Sequence, residues 1–179
     1  MTPDPSDPED SDDFEREFIT FYNAHARQLH RYLWHVGHDE NLAEMAAQDA
    51  FVAACQKWAV IRQYDKPKAW LYKVAHWCLK SLQRSQYTYL TSADLHELPQ
   101  PISTDDQVEL RETVRWALSQ LPRRLREVTV LHYLCDFSVD DTAKILCIAP
   151  GSVRYYLHNA RKQLTDLLKY ERGEEDDNA

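Results

Sequence analysis

Glycine is nearly missing: the 179 residues contain only 3. No GxGxxG and no GxxxxGK followed by Ser or Thr can be found, so nothing supports a phosphate-cradling loop or a nucleotide-binding enzyme. Alternating apolar residues, the mark of half-buried strands, are absent as well, while apolar residues at intervals of three and four recur throughout. The expected class is all-α. The cysteines (Cys55, Cys78, Cys135 and Cys147) form no CxxC pair and have no secretory context, so reduced thiols are the expectation. His132 and Cys135 have a ligand-like spacing, but they sit among apolar neighbours and the usual second pair of ligands is missing. No metal and no cofactor is expected. No apolar run approaches the ~20 residues needed to span a bilayer, and the acidic, Pro-rich start is unlike a signal peptide. A cytoplasmic protein without membrane insertion follows as the expectation. No carboxylate pair or nucleophile–base pair is evident either, which argues against an enzyme.

What is present is charge, and it is segregated. The formal net charge is −8. Residues 1–17 carry a balance of −7 and residues 171–179 one of −4, which leaves 18–170 at +3. Within that body, 56–84 contain seven Lys or Arg against one Asp, whereas 85–112 contain six acids against one Arg. Basic modules, an acidic connector and acidic flanks are thus hidden behind one whole-chain value.

In chain order, residues 1–11 are rich in Pro and Asp and poor in apolar residues, an acidic tail expected to lack structure. A first module spans 12–84. Its first helix is expected from about Asp12 to Val36, with aromatics at helical spacing and Gly37 as the stop. A second runs from about Glu40 to Trp58, with Ala43, Ala47, Ala50, Phe51 and Ala54 on its buried side and Glu44, Gln48, Asp49 and Gln56 on its exposed side. After a Pro-containing loop, a third helix begins near Trp70. On a wheel of about 100° per residue its core stripe is Leu71, Val74, Ala75, Cys78 and Leu82. Trp70, Lys73, Trp77, Lys80 and Arg84 cluster about 140° away on the same wheel. Two tryptophans among three cations, off the core stripe, suit stacking on unpaired bases. Half-burial of both rings with lysines snorkelling past them is the plainer alternative.

Residues 85–108 lose periodicity and gain Pro, Ser and Thr, as a linker does; fully extended they reach ~80 Å. A second module, 109–170, opens with a helix from about Glu109 to Gln120 and precedes an acidic tail at 171–179. Within it, Ser138 is suited to cap a helix, with Asp141 at the third position. Ala143 is small enough for a close helix crossing. Cys147, Ile148 and Ala149 form a short turn, and Pro150 suits the first turn of the next helix. There Val153, Leu157, Ala160 and Leu164 form a buried stripe, opposite Arg154, Tyr155, His158, Asn159, Arg161 and Lys162. This is the punctuation of a helix-turn-helix, with an outer face able to reach base edges and phosphates.

The segments AEMAAQDAF (43–51), WLYKVAHW (70–77), LPRRLREVTVLHY (121–133) and VDDTAKIL followed by SVRYYLHNARKQL (139–164) stand in the order and spacing of a known family. They resemble AEDLVQEVF, WLYRIARN, LPPRQREVFLLRY and EEIAEIL with TVRSRLHRARRRL of bacterial sigma-70 RNA polymerase sigma factors of the extracytoplasmic-function (ECF, group IV) type. The first module resembles sigma region 2 and the second region 4, with no room for a region 3 domain between them. The resemblance implies a subunit that binds core RNA polymerase, at the β′ clamp and β flap, and directs it to promoter DNA. Glu44, Gln48, Asp49 and Phe51 would then face the polymerase. Tyr64, Lys66, Lys68, Trp70, Lys73, Trp77, Lys80 and Arg84 would capture and open the −10 element. Arg154, Tyr155, Tyr156, His158, Asn159, Arg161 and Lys162 would read the −35 element. An anti-sigma factor is a further partner that the family suggests.

Several positions depart from the family pattern. Met45 replaces the second acid of AED, and Trp77 the Asn of WLYRIARN. Tyr155-Tyr156 stand for Ser-Arg, Asn159 for a frequent Arg, Cys147 for the turn Gly, and Ala149 for a Ser/Thr cap. Two other readings compete: a stand-alone helix-turn-helix regulator, and a sigma-derived interaction module that no longer opens promoters.

Overall fold

The computed structural model describes residues 8–90 and 106–171. These are helical, and no strand occurs among them. The chain divides into two compact units, Met1–Arg84 and Ser85–Ala179. Most of the acidic segments noted above, namely 1–7, 91–105 and 172–179, lie outside the described residues.

The first unit holds α1 (Pro8–Gly37), α2 (Glu40–Gln56), the short α3 (Trp58–Ile61) and α4 (Pro67–Leu90). Helix α1 starts four residues before the expected Asp12, at a proline, whose fixed φ favours the first helical turn. It does not end through left-handed glycine. Gly37 is the last helical residue, and the left-handed position is His38, at φ 53°, whose N–H donates to the Trp34 carbonyl at 2.8 Å. Gly37 serves close packing instead, because a Cβ there would meet Leu79 Cδ1 at 3.2 Å. Asp39 then caps α2, its carboxylate accepting from the Leu42 N–H at 2.9 Å.

The buried face of α2 is Leu42, Ala43, Ala46, Ala47, Ala50, Phe51 and Ala54. Five alanines let the backbone of α1 approach closely, and Leu29, Tyr32, Leu33 and Val36 supply the larger volumes. Helix α4 buries Leu71, Tyr72, Ala75, His76, Cys78 and Leu79. The expected stripe is therefore rotated: Val74 and Leu82 are only half-buried. The reason is a polar contact that hydropathy does not register. The Tyr32 hydroxyl and His76 Nδ1 lie 2.7 Å apart inside the unit, and the Tyr32 and Tyr72 rings meet at 5.3 Å. Paired in this way, a tyrosine and a histidine occupy core positions that their polarity alone would disfavour.

In the second unit, α5 (Asp106–Gln120) leads into α6 (Arg123–Thr129), which continues as a π-helical turn over Val130–Leu134. Helices α7 (Val139–Leu146) and α8 (Pro150–Glu171) follow. Arg126 ties α6 back to the end of α5, its Nη1 donating to the carbonyls of Ser119 at 3.1 Å and Leu121 at 3.3 Å. Glu127 is fully buried, yet each carboxylate oxygen takes one arginine: Arg123 Nε at 2.9 Å and Arg124 Nη1 at 2.9 Å. A buried carboxylate is tolerable when both oxygens are engaged in this way.

The Tyr32 to His76 contact yields a direct prediction. Replacing Tyr32 with Phe keeps the ring and removes only the hydroxyl, leaving a buried imidazole nitrogen without that partner. The expected cost is about 1–3 kcal/mol of stability. It is read from the urea midpoint of the variant, at unchanged m-value, against the parent chain.

Candidate nucleic-acid interface

The helix-turn-helix is assembled from local chemistry. The π-helical turn closes with the Cys135 N–H on the Val130 carbonyl and the Phe137 N–H on the Leu131 carbonyl, both at 3.1 Å, around a left-handed Asp136 at φ 58°. His132 Nδ1 donates to the Phe137 carbonyl at 2.8 Å, so this ring braces the turn. Ser138 caps α7: its Oγ accepts from the Asp141 N–H at 3.0 Å and donates to the Asp141 carboxylate at 2.7 Å. At the other end Cys147 takes the left-handed conformation, φ 54° and ψ 48°, and the Ile148 N–H reaches the Ala143 carbonyl at 3.0 Å. That closure sets the direction in which α8 leaves. Ala149 then receives the first α8 amides, Ser152 at 2.9 Å and Val153 at 3.2 Å, on its carbonyl, and has no side-chain oxygen to offer.

Helix α8 is held by Val153, Leu157 and Ala160, all buried, with Leu164 half-buried. The opposite face presents Arg154, Tyr155, His158, Arg161 and Lys162, all exposed, with Tyr155 at 63%. Tyr156 and Asn159 lie at its margins, half-buried, and the Tyr156 ring sits 5.7 Å from that of Tyr155.

In the first unit, Trp77 projects from α4 at 69% exposure, with Lys73 and Arg84 also exposed on that helix. Trp70 and Lys80 are half-buried, so the two tryptophans are not equivalent. Tyr64 and Lys66 are exposed in the loop before α4, whereas Lys68 is half-buried with its ammonium 5.7 Å from the Tyr72 ring centre. Burial, and after it the positive charge of Lys68, push the neighbouring His25 below its ordinary pKa. Beside this loop runs an open groove whose floor includes Phe21, Trp58 and Pro67, and the Arg62–Glu17 ion pair at 3.0 Å stands on its edge.

On α2, Glu44, Gln48 and Asp49 are exposed, and the Gln48 amide donates to Glu44 at 3.2 Å. Phe51 is not on that surface. It is 7% exposed and packs against Tyr22 at 4.6 Å, because it falls on the alanine side of the helix. The outer face also has an apolar part, of which the sequence singles out Met45, as a departure from the family motif, but not Val52. Met45 and Val52, seven residues apart and therefore in line, are 49% and 56% exposed. Their spacing was the available signal.

One unit has a helix-turn-helix with a basic, aromatic outer face, the other exposes a tryptophan among cations, and both are features of a nucleic-acid-binding protein. Residues 21–88 match sigma-70 region 2, and residues 111–164 match sigma-70 region 4. The ECF RNA polymerase sigma factor SigM of Bacillus subtilis is 30% identical over 162 residues, covering 87% of this chain and 96% of its own. SigM of Mycobacterium tuberculosis is 30% identical over 154 residues, covering 86% of this chain and 78% of its own. Among solved structures, the sigma factor RpoE of Bartonella quintana, in complex with the anti-sigma factor NepR, shares the fold. Its TM-score is 0.71 at 23% identity, over 88% of this chain and 97% of that one. The chain belongs to the ECF sigma factors of the sigma-70 family, and it is a promoter-directing subunit of RNA polymerase.

Cys147 provides a test of the turn. A left-handed residue with a Cβ costs roughly 1–2 kcal/mol, and glycine at that position gives part of this back in chain entropy. Cys147→Gly is expected to stabilise the second unit by about 0.5–1 kcal/mol, seen as a higher melting temperature; an unchanged or lower one would remove strain from the account of this turn.

Proposed function

We propose a division of labour among three surfaces. The exposed face of α4, with the loop at Tyr64–Lys68, captures the unpaired −10 strand. The outer face of α8 reads the −35 element in the major groove. The outer face of α2, with Glu44, Gln48 and Asp49 together with Met45 and Val52, meets core RNA polymerase. What carries this reading is Trp77. A large ring so exposed on a basic helix face has no packing role, whereas stacking on an unpaired base is worth ~1–3 kcal/mol. The ring stands where the family has Asn, so the −10 element of this protein is expected to depend on stacking more than on amide hydrogen bonds.

Partners follow from the same surfaces: core polymerase, promoter DNA and, as in the RpoE complex with NepR, an anti-sigma factor. Work on core polymerase places the protein in the cytoplasm, and its action is binding rather than a chemical step of its own. A stand-alone helix-turn-helix regulator is disfavoured, because it gives no task to the faces of α2 and α4.

Two variants test the division. With core polymerase and a cognate promoter, Trp77→Ala should reduce open complexes about tenfold, the equivalent of ~1.4 kcal/mol of lost stacking. Binding to closed duplex should be retained, and Trp77→Phe should recover part of the loss; permanganate reactivity of the melted thymines reads both. Arg154→Ala should cost about 1–3 kcal/mol of −35 discrimination, measured as the affinity ratio between matched and scrambled duplexes. Equal losses on both duplexes would place Arg154 on phosphate instead.

A further inference from the structure

Helix α8 begins at Pro150, and Gly151, Arg154 and Tyr155 are exposed in its first two turns. The Tyr155 ring is 63% exposed, and it meets the Tyr156 ring at 5.7 Å with the two planes inclined at 63°. Gly151 lies four residues earlier, one turn back on the same face. A Cβ at Gly151 would meet no heavy atom within 4 Å. Side chains on a helix lean over the turn N-terminal to their own Cα, so the Tyr155 ring stands above Gly151, with room for a methyl group on the glycine. We infer that Tyr155 and Gly151 together read a thymine of the −35 element through its 5-methyl group, which makes Tyr155 a specificity-determining residue for promoter choice.

The chemistry of this notch selects the base. In the major groove the base edges offer hydrogen-bond donors and acceptors, and the one apolar group among them is the C5-methyl of thymine. The flank of a phenol ring and the Cα of a glycine return no hydrogen bond to a carbonyl or an amino group. A polar edge seated there loses its water without replacement, whereas a methyl group loses nothing and gains contact on two sides. The exposed neighbours work differently. Arg154 can hold a guanine edge with two hydrogen bonds, and His158 can offer one to a base or a phosphate. The Tyr155 hydroxyl, at the tip of the ring, is not needed for contact with a methyl group, so ring and hydroxyl can be separated by substitution. This inference rests on the −35 reading proposed for α8 and deepens it by naming the base.

The test uses the full chain bound to core polymerase and a closed duplex enriched by that complex from a random-sequence pool. Each thymine of the enriched duplex is replaced in turn by uracil, which removes the methyl group and keeps the base pair. At one position the parent is expected to lose about fourfold in affinity, the value of one buried CH₂ group. Tyr155→Ala should bind the thymine and uracil duplexes equally, and Tyr155→Phe should keep the preference. Gly151→Ala should lose most of it, because its own methyl fills the notch, while its melting temperature stays level or rises, as alanine favours a helix. The inference is overturned if no uracil weakens the parent, or if the preference survives in Tyr155→Ala or in full in Gly151→Ala. A Tyr155→Phe variant as indifferent as Tyr155→Ala also overturns it and assigns the contact to the hydroxyl. In each of these cases, a preference for the enriched over a scrambled duplex that Arg154→Ala diminishes leaves the −35 reading of α8 standing. If no sequence is enriched, that reading and the thymine contact fall together.

Discussion

The first unit rests on the close approach of helices at alanine. Ala43, Ala46, Ala47, Ala50 and Ala54 of α2 are at most 8% exposed, and they present almost no side chain to α1. Helices crossing at so small a separation fill the remaining space with few large groups, here Leu29, Tyr32 and Leu33. Beyond that crossing, Trp58 of α3 and Tyr72 and Leu79 of α4 supply the rest of the buried volume. Phe51 takes the available edge of the core against Tyr22, and Met45, Val52 and Trp77 are left outside. The second unit repeats the device at lower cost. Ala143 and Ala160 are buried at 4% and 0%, and they allow α7 and α8 to be joined by a turn of three residues.

Electrostatics separates structural from functional cations. Glu127 is inaccessible to solvent and would be expensive unless both oxygens were engaged, so Arg123 and Arg124 are committed to it. Arg126 is committed to the carbonyls that end α5. The RRLRE sequence therefore reads as a basic patch but acts as an internal brace. The cations of α8 have no such obligations within the described residues and remain available to an anion. Equal charge counts in two stretches thus correspond to opposite roles, and the difference is decided by burial.

Much of the second unit was legible because its signals are local. Ser138 caps α7 through a bond to Asp141 three residues on, Pro150 opens α8, and Val153, Leu157 and Ala160 are buried at the spacing that defines a helical stripe. The first unit was read less well where the deciding contact spans many residues. The α4 stripe was misplaced because Tyr32 and His76, 44 positions apart, satisfy each other in the interior. Gly37 looked like a left-handed stop, but that conformation fell to His38, since glycine was needed where α1 passes Leu79.

By itself, then, the sequence determined the all-helical class, the caps and turn of the helix-turn-helix, and the sigma-factor family, because periodicity, capping and motif order are properties of neighbouring residues. Only the tertiary structure decided which aromatic rings are surface and which are core. Trp77 is exposed, Trp70 half-buried and Phe51 enclosed, although all three carry similar hydrophobicity. A ring is buried only if another helix arrives to cover it, and that depends on the packing of the whole unit.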